Sequence, residues 1–230
     1  MRKAFTLAEV LITLGIIGVV AAMTLPTLIN KYRSIAFETA FKKAYSNCAQ
    51  ALALTKSELG VDNLHQNYAY YDGYKYVDSE IFIEEYYKQL KRIGKVKYKE
   101  PIKNYTLNKN FQADGITCLP EHLLPDGSSI CTKIWATTIS VTVDINGANK
   151  RPNAFGHDIF MFRVHPTKDL LIGQEPENRE PEENSQYPET DARPCSKRFK
   201  TGGNGLGCSY YALKNISPDN PNKSYWNDLP

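Results

Sequence analysis

Residues 5–29 read FTLAEVLITLGIIGVVAAMTLPTLI, twenty-five positions with a single ionisable side chain, Glu9, preceded by Arg2-Lys3 and Ala4. At roughly 1.5 Å per helical residue this stretch is long enough to cross a ~30 Å hydrocarbon core. A chain that begins this way must either lose the segment or bury it in lipid or in other protein. Three readings differ over where the chain is cut: a secretory signal peptide, a plain membrane anchor, and a segment cleaved ahead of the apolar run, so that the run stays on the mature protein. Ala21-Ala22-Met23 would serve the first as a cleavage site. Glu9 weighs against the first two, because a charge costs on the order of 2.5–3.5 kcal/mol at the centre of a membrane helix and less near the interface. Such a carboxylate either has a partner or snorkels to the headgroups beside Arg2 and Lys3.

The short basic leader, small Ala4, Phe5-Thr6-Leu7, Glu9 four positions after the phenylalanine, and the run VLITLGIIGVVAAMTLPTLI resemble the N-terminus of bacterial type IV pilins and type II secretion pseudopilins. The resemblance implies that a prepilin peptidase cuts between Ala4 and Phe5 and that Phe5 is then N-methylated. Ala4 departs from the glycine usual there. It further implies that Glu9 meets the N-terminal amine of an adjacent subunit, setting register in the fibre. The physics agrees, since opposite charges attract far more strongly in a low-dielectric environment than in water, while each alone is penalised. Pro26 stands where such helices bend or locally melt on entering the fibre. Loss of residues 1–4 takes the 28 basic side chains to 26 against 25 acidic ones, a near-neutral balance that suits dense packing.

After Asn30, Phe37, Phe41, Ala44, Tyr45, Cys48, Leu52, Thr55 and Leu59 recur at steps of three and four, one apolar stripe of an amphipathic helix. We read one helix from Phe5 to Leu59, interrupted at Pro26 and ended by Gly60. The expected organisation is a leader at 1–4, a transmembrane or fibre-core helix at 5–29, its amphipathic continuation at 30–59, and a globular head at 60–230. The expected fold is α+β, a pilin-like lollipop whose long helix packs on a small antiparallel sheet. Ser79–Ile93 reads as a short helix capped by Ser79 and stopped by Gly94. The surrounding tyrosines, Tyr68, Tyr70, Tyr71, Tyr74, Tyr76, Tyr86, Tyr87, Tyr98 and Tyr105, suit half-buried positions better than a binding surface.

Thr137–Asp144 and Asp158–Val164 alternate as strands. The run between and around them, DINGANKRPNAFGHDIFMF, also resembles pseudopilin-like heads. Asp144, Asn146 and Asp158 offer oxygen ligands that would suit calcium, but Asp-x-Asn-Gly is first of all turn chemistry. Gln174–Pro194, with seven acidic residues and four prolines, cannot supply a core and reads as an exposed loop.

Cys118 and Cys131 are separated by twelve residues, and so are Cys195 and Cys208; two local disulfides are the simplest pairing, with the crossed pairings left open. The second pair resembles the disulfide-bounded C-terminal loop of pilins. Cys48 is the odd cysteine, a small buried helix residue. No nucleophile elbow, phosphate loop, HExxH or Cys-x-x-Cys occurs, so no enzyme and no cofactor is expected. With +3 net charge and no consecutive basic run longer than Lys42-Lys43, nucleic acid is not an expected partner. The expected partners are other pilin or pseudopilin subunits, prepilin peptidase, an inner-membrane assembly platform and membrane lipid. The chain would be single-pass in the inner membrane with its head in the periplasm or outside the cell. The competing reading is a secreted or membrane-anchored binding protein, lectin-like or adhesin-like.

Overall fold

The structure, a computed structural model, describes residues 6–69, 73, 78–111, 117–135, 138–173 and 194–230. Ala4, Phe5, Tyr70, Tyr71, Tyr74, Tyr76 and the acidic stretch as far as Arg193 lie outside these. The first element is helix α1 (Leu7–Leu59). The chain divides into two compact units, Met1–Ala36 and Phe37–Pro230.

In the first unit Leu11, Ile12, Leu14, Ile16 and Ile17 are each 60% exposed or more. The unit gives its own apolar surface no cover. By length and composition this helix can cross a membrane. It runs on through Pro26, where the sequence reading placed an interruption. Pro26 deprives the Ala22 carbonyl of its donor, but that is one bond in a long ladder and the proline φ is itself helical. Thr13 and Thr24 return their hydroxyls to backbone carbonyls three or four residues back, at 2.9 Å, so neither presents an unsatisfied donor on an apolar helix. At the other end Gly60, at φ +63°, donates its amide to Lys56 O (3.1 Å), the left-handed closure expected of a glycine there.

The second unit is built on one antiparallel sheet of six consecutive strands, β1 (Gly94–Lys95), β2 (His122–Leu123), β3 (Ser129–Trp135), β4 (Thr138–Asp144), β5 (Ile159–Val164) and β6 (Leu171–Ile172). A long helix with an antiparallel sheet is the α+β, pilin-like class that the sequence predicted. Register sets the faces. Ile130 pairs with Val143 and Thr132 with Val141, while Val141 and Val143 pair with Phe162 and Phe160. That face meets α1, where Phe41 lies 4.6 Å from Phe160 and Tyr45 lies 5.5 Å from Phe162, ring centre to ring centre. Phe41, Ala44, Cys48, Ala51, Leu52 and Thr55 are the buried stripe of α1. On the opposite face Ile159 and Met161 join Ile102, Phe155 and Leu206 in a second, smaller core. Both faces of β5 are therefore covered, which is why Ile159–Val164 is an almost continuous apolar run rather than an alternating one.

Smaller elements close the edges. Helix α2 (Leu64–Tyr68) is capped by Asn63, whose side chain accepts from Gln66 N at 2.8 Å. Helix α3 (Ser79–Gln89) differs from expectation at both ends: Asp78, at φ +53°, holds the N-cap position, and Lys91, at φ +56°, ends the helix where Gly94 was expected. Lys91 N donates to Lys88 O and Arg92 N to Tyr87 O, both at 3.0 Å, the paired bonds of a Schellman closure made without glycine. Helix α4 (Cys208–Lys214) and a 3₁₀ turn (Tyr225–Asn227) follow, and Trp226 of that turn packs 5.3 Å from Phe41. Tyr68, Tyr86, Tyr87 and Tyr105 are buried. The buried Tyr86 hydroxyl donates to Cys48 O at 3.1 Å, so these tyrosines serve the core.

Phe41 touches Phe160, Phe162 and Trp226 at once. Phe41→Ala is expected to destabilise this unit by about 3–5 kcal/mol. Urea unfolding of the detergent-solubilised chain, followed by tryptophan fluorescence, measures the loss.

Candidate functional site

The described chain begins at Thr6, and its first turn is locked by three hydrogen bonds between Thr6 and Glu9. Glu9 Oε2 accepts from the Thr6 amide and from the Thr6 hydroxyl, both at 2.8 Å, while the Glu9 amide donates to Thr6 Oγ1 at 3.3 Å. This is a capping box, Thr-x-x-Glu, which satisfies donors that the start of a helix leaves free. The sequence reading gave Glu9 only an intermolecular partner. The structure gives it an intrachain one as well, and the Thr6-Leu7-Ala8-Glu9 spacing was the available signal. A carboxylate in the first turn also faces the positive end of the helix dipole. Pro26 lies farther along the same helix, within the uncovered apolar stretch.

The other expected site residues meet in the head. Asp144 and Asp158, at the end of β4 and just before β5, are both buried. Asp144 Oδ1 accepts from the amides of Asn146 (3.2 Å) and Gly147 (2.7 Å), and its Oδ2 from the Tyr98 hydroxyl (2.6 Å). Asp158 Oδ1 accepts from Ala154 N (2.7 Å), and its Oδ2 from Asn153 N (2.9 Å) and Asn146 Nδ2 (3.2 Å). Gly147, at φ +86°, is required twice over, since a Cβ there would also collide with Gly127 O. Asp144, Asn146 and Asp158 are thus brought together, with their carboxylates spent on N–H and O–H donors as in turn chemistry. Calcium would have to displace those donors. Among the described residues no group of three or more His, Cys, Asp or Glu is placed to hold a metal.

Burial and the charge of Asp144 push the Asp158 carboxyl up to about 7, against the pull of its amide donors. Burial likewise raises Asp144. Cys118 is bonded to Cys131 and Cys195 to Cys208. Each bridge closes a short loop, and crosslinks of that size contribute about 2–4 kcal/mol by restricting the unfolded chain. Cys48 stays a buried thiol, which burial pushes up to about 12, away from reactivity.

Comparison with known families places a model described as the prokaryotic N-terminal methylation motif over residues 1–25. This is the prepilin-type cleavage and methylation segment of type IV pilins and pseudopilins. The chain therefore begins with the N-terminus of processed pilin-like subunits. Together with the uncovered apolar helix, it points to membrane anchoring and to a structural role. No curated protein and no solved structure matches the chain.

The Asp158 carboxyl makes the head sensitive to pH. Its folded value of about 7 lies above the ordinary carboxyl value of about 3.9, so the folded head holds a proton that the unfolded chain releases. The stability it contributes is complete below about pH 4 and is lost as pH rises through about 7. Urea midpoints measured at about pH 5 and about pH 8 are expected to fall for the wild type. In Asp158→Asn, whose side chain is neutral throughout, the fall should be smaller.

Proposed function

We propose that this chain is a structural subunit of a type IV pilus-like or type II secretion pseudopilus fibre. It is made as a prepilin, cut between Ala4 and Phe5, methylated on Phe5 and polymerised from the inner membrane. The observation that carries the reading is the methylation motif over residues 1–25, continuous with a helix whose apolar side chains have no cover in their own unit. Lipid covers that surface in the membrane, and the helices of other subunits cover it in the fibre. In this scheme residues 1–4 are the leader, 5–29 the membrane and fibre-core segment, 30–59 the amphipathic continuation, and 60–230 the head, held in the periplasm or outside the cell.

Glu9 has two tasks in the proposal. In the membrane-held subunit it caps its own helix through Thr6. During assembly its charge meets the N-terminal amine of a neighbour and aligns the incoming helix. Prepilin peptidase and an inner-membrane assembly platform act at the two stages. A large head with long loops favours a minor subunit over the abundant one.

Peptide mass spectrometry of the protein from its native membrane is expected to find a chain starting at N-methylated Phe5. A start after Ala22 would instead indicate an exported soluble protein and sink the proposal. Glu9→Gln separates the two tasks, because glutamine serves a capping box as glutamate does but carries no charge. The expected outcome is normal processing and a loss of about tenfold or more in sedimentable fibres, since an unpaired partner charge left in a dry interface costs about 3–5 kcal/mol. Fibre yield equal to wild type would remove the charge from the mechanism.

A further inference from the structure

Strand β1 and the residues that follow it carry Lys95, Lys97 and Lys99 at every second position, all exposed, with Val96 and Tyr98 half-buried between them. Ile93 and Val96 tie this segment to the approach of β2 by donating their amides to Leu123 O (3.0 Å) and Glu121 O (2.7 Å). Tyr98 reaches inward to Asp144. The alternation of burial keeps the three lysines on the solvent side. Among the described residues no carboxylate forms an ion pair with any of the three, and neighbouring Glu84 and Glu100 are taken by Arg92 and Arg151. Lys95 on the edge strand β1 discourages pairing with another sheet. Three exposed on one side also make a cationic track, suited to an acidic chain.

The same chain supplies that anion. Residues 174–193 contain Glu175, Glu177, Glu180, Glu182, Glu183, Glu189 and Asp191 against Arg179 and Arg193. Glu175-Pro176-Glu177 and Glu180-Pro181-Glu182 space carboxylates two residues apart, the interval of the lysines. This segment follows β6, which is the edge of the sheet opposite β1. Six strands at ~4.8 Å put the two edges on the order of 24 Å apart. In heads laid edge to edge, the point where the chain leaves β6 of one copy toward its acidic segment lies beside the lysine-bearing edge of the next.

We propose that the Lys95-Lys97-Lys99 edge is a docking track for the acidic segment 174–193 of a second copy of this chain, a heterologous contact that repeats along an assembly. This inference deepens the fibre-subunit reading and rests on it. The low net charge of the whole chain conceals the arrangement, because the basic and acidic tracts cancel in the sum.

The test mixes isotopically light and heavy full-length protein in the native membrane and applies a carbodiimide, which joins an ammonium to a carboxylate without a spacer. The expected product is a mixed-isotope peptide joining Lys95, Lys97 or Lys99 to an acidic residue of 174–193, with a yield that falls as salt is raised. Lys95→Glu/Lys97→Glu/Lys99→Glu should lower that product, read as mixed dimer on a gel, about tenfold, and Glu180→Lys/Glu182→Lys/Glu183→Lys in the other copy should restore it. Links confined to single copies, or none, would overturn the proposal. So would retention of the full chain on duplex DNA that the lysine reversal abolishes while mixed links are absent, which assigns the track to nucleic acid. N-terminal mass and sedimentation of the wild type are read alongside. Methylated, sedimentable protein without mixed links defeats the docking track alone, whereas an uncleaved Ala4-Phe5 bond defeats the fibre reading whatever the links show.

Discussion

Apolar surface that a chain cannot bury by itself must be buried by something else, and about 25 cal/mol for each Å² left in water makes that demand large for a helix lined with leucine, isoleucine and valine. In this protein the demand falls on the first unit, where those side chains stand exposed along α1. In the head the strand β5 is covered on both faces, one by the α1 stripe and the other by the smaller cluster around Phe155 and Met161. In the proposed reading, lipid or further copies supply that cover for the first unit. The proposed cleavage ahead of the helix, in place of removal of the helix, follows the same logic, since it would leave the adhesive surface on the mature protein.

The head must hold its form without such help. Its central strands are long and its edge strands are two residues each, which limits exposed backbone at the margins of the sheet. Two short-range disulfides restrain the stretch leading into β3 and the start of α4. The buried Asp144–Asp158 turns fasten the β4–β5 connection through amide donors, and burial of two carboxylates in one place raises both of them. Stability here comes with a pH dependence that an apolar turn would not have.

Much of this was legible because it rests on local pattern. The apolar run, the three-and-four spacing from Phe37 to Leu59, the strand-like Thr138–Asp144 and the Asp-x-Asn-Gly turn are visible within a few residues of themselves. What escaped notice had weaker local signals. β3 alternates, but Cys131, Thr132 and Lys133 blur its pattern, and the two-residue strands have none. The end of α3 fell to Lys91, because a Schellman closure depends on carbonyl geometry as much as on glycine. The capping role of Glu9 was written in Thr6-x-x-Glu9 but hidden by the attention its charge attracts. Lysines at every second position escape any search for consecutive basic residues.

By itself, the sequence determined that the chain carries a membrane-length apolar helix bearing one carboxylate and that an α+β head follows. These follow from composition and periodicity, which need no knowledge of distant neighbours. Tertiary structure alone decided that Tyr98 would meet Asp144 and that Asp158 would be buried beside it. It also decided that Phe41 would pack against Phe160 and Trp226, and that the lysine row would start on the sheet edge opposite the departure of the acidic segment. These join residues from 14 to 185 positions apart, and only the register of the sheet and the packing of α1 upon it bring them together.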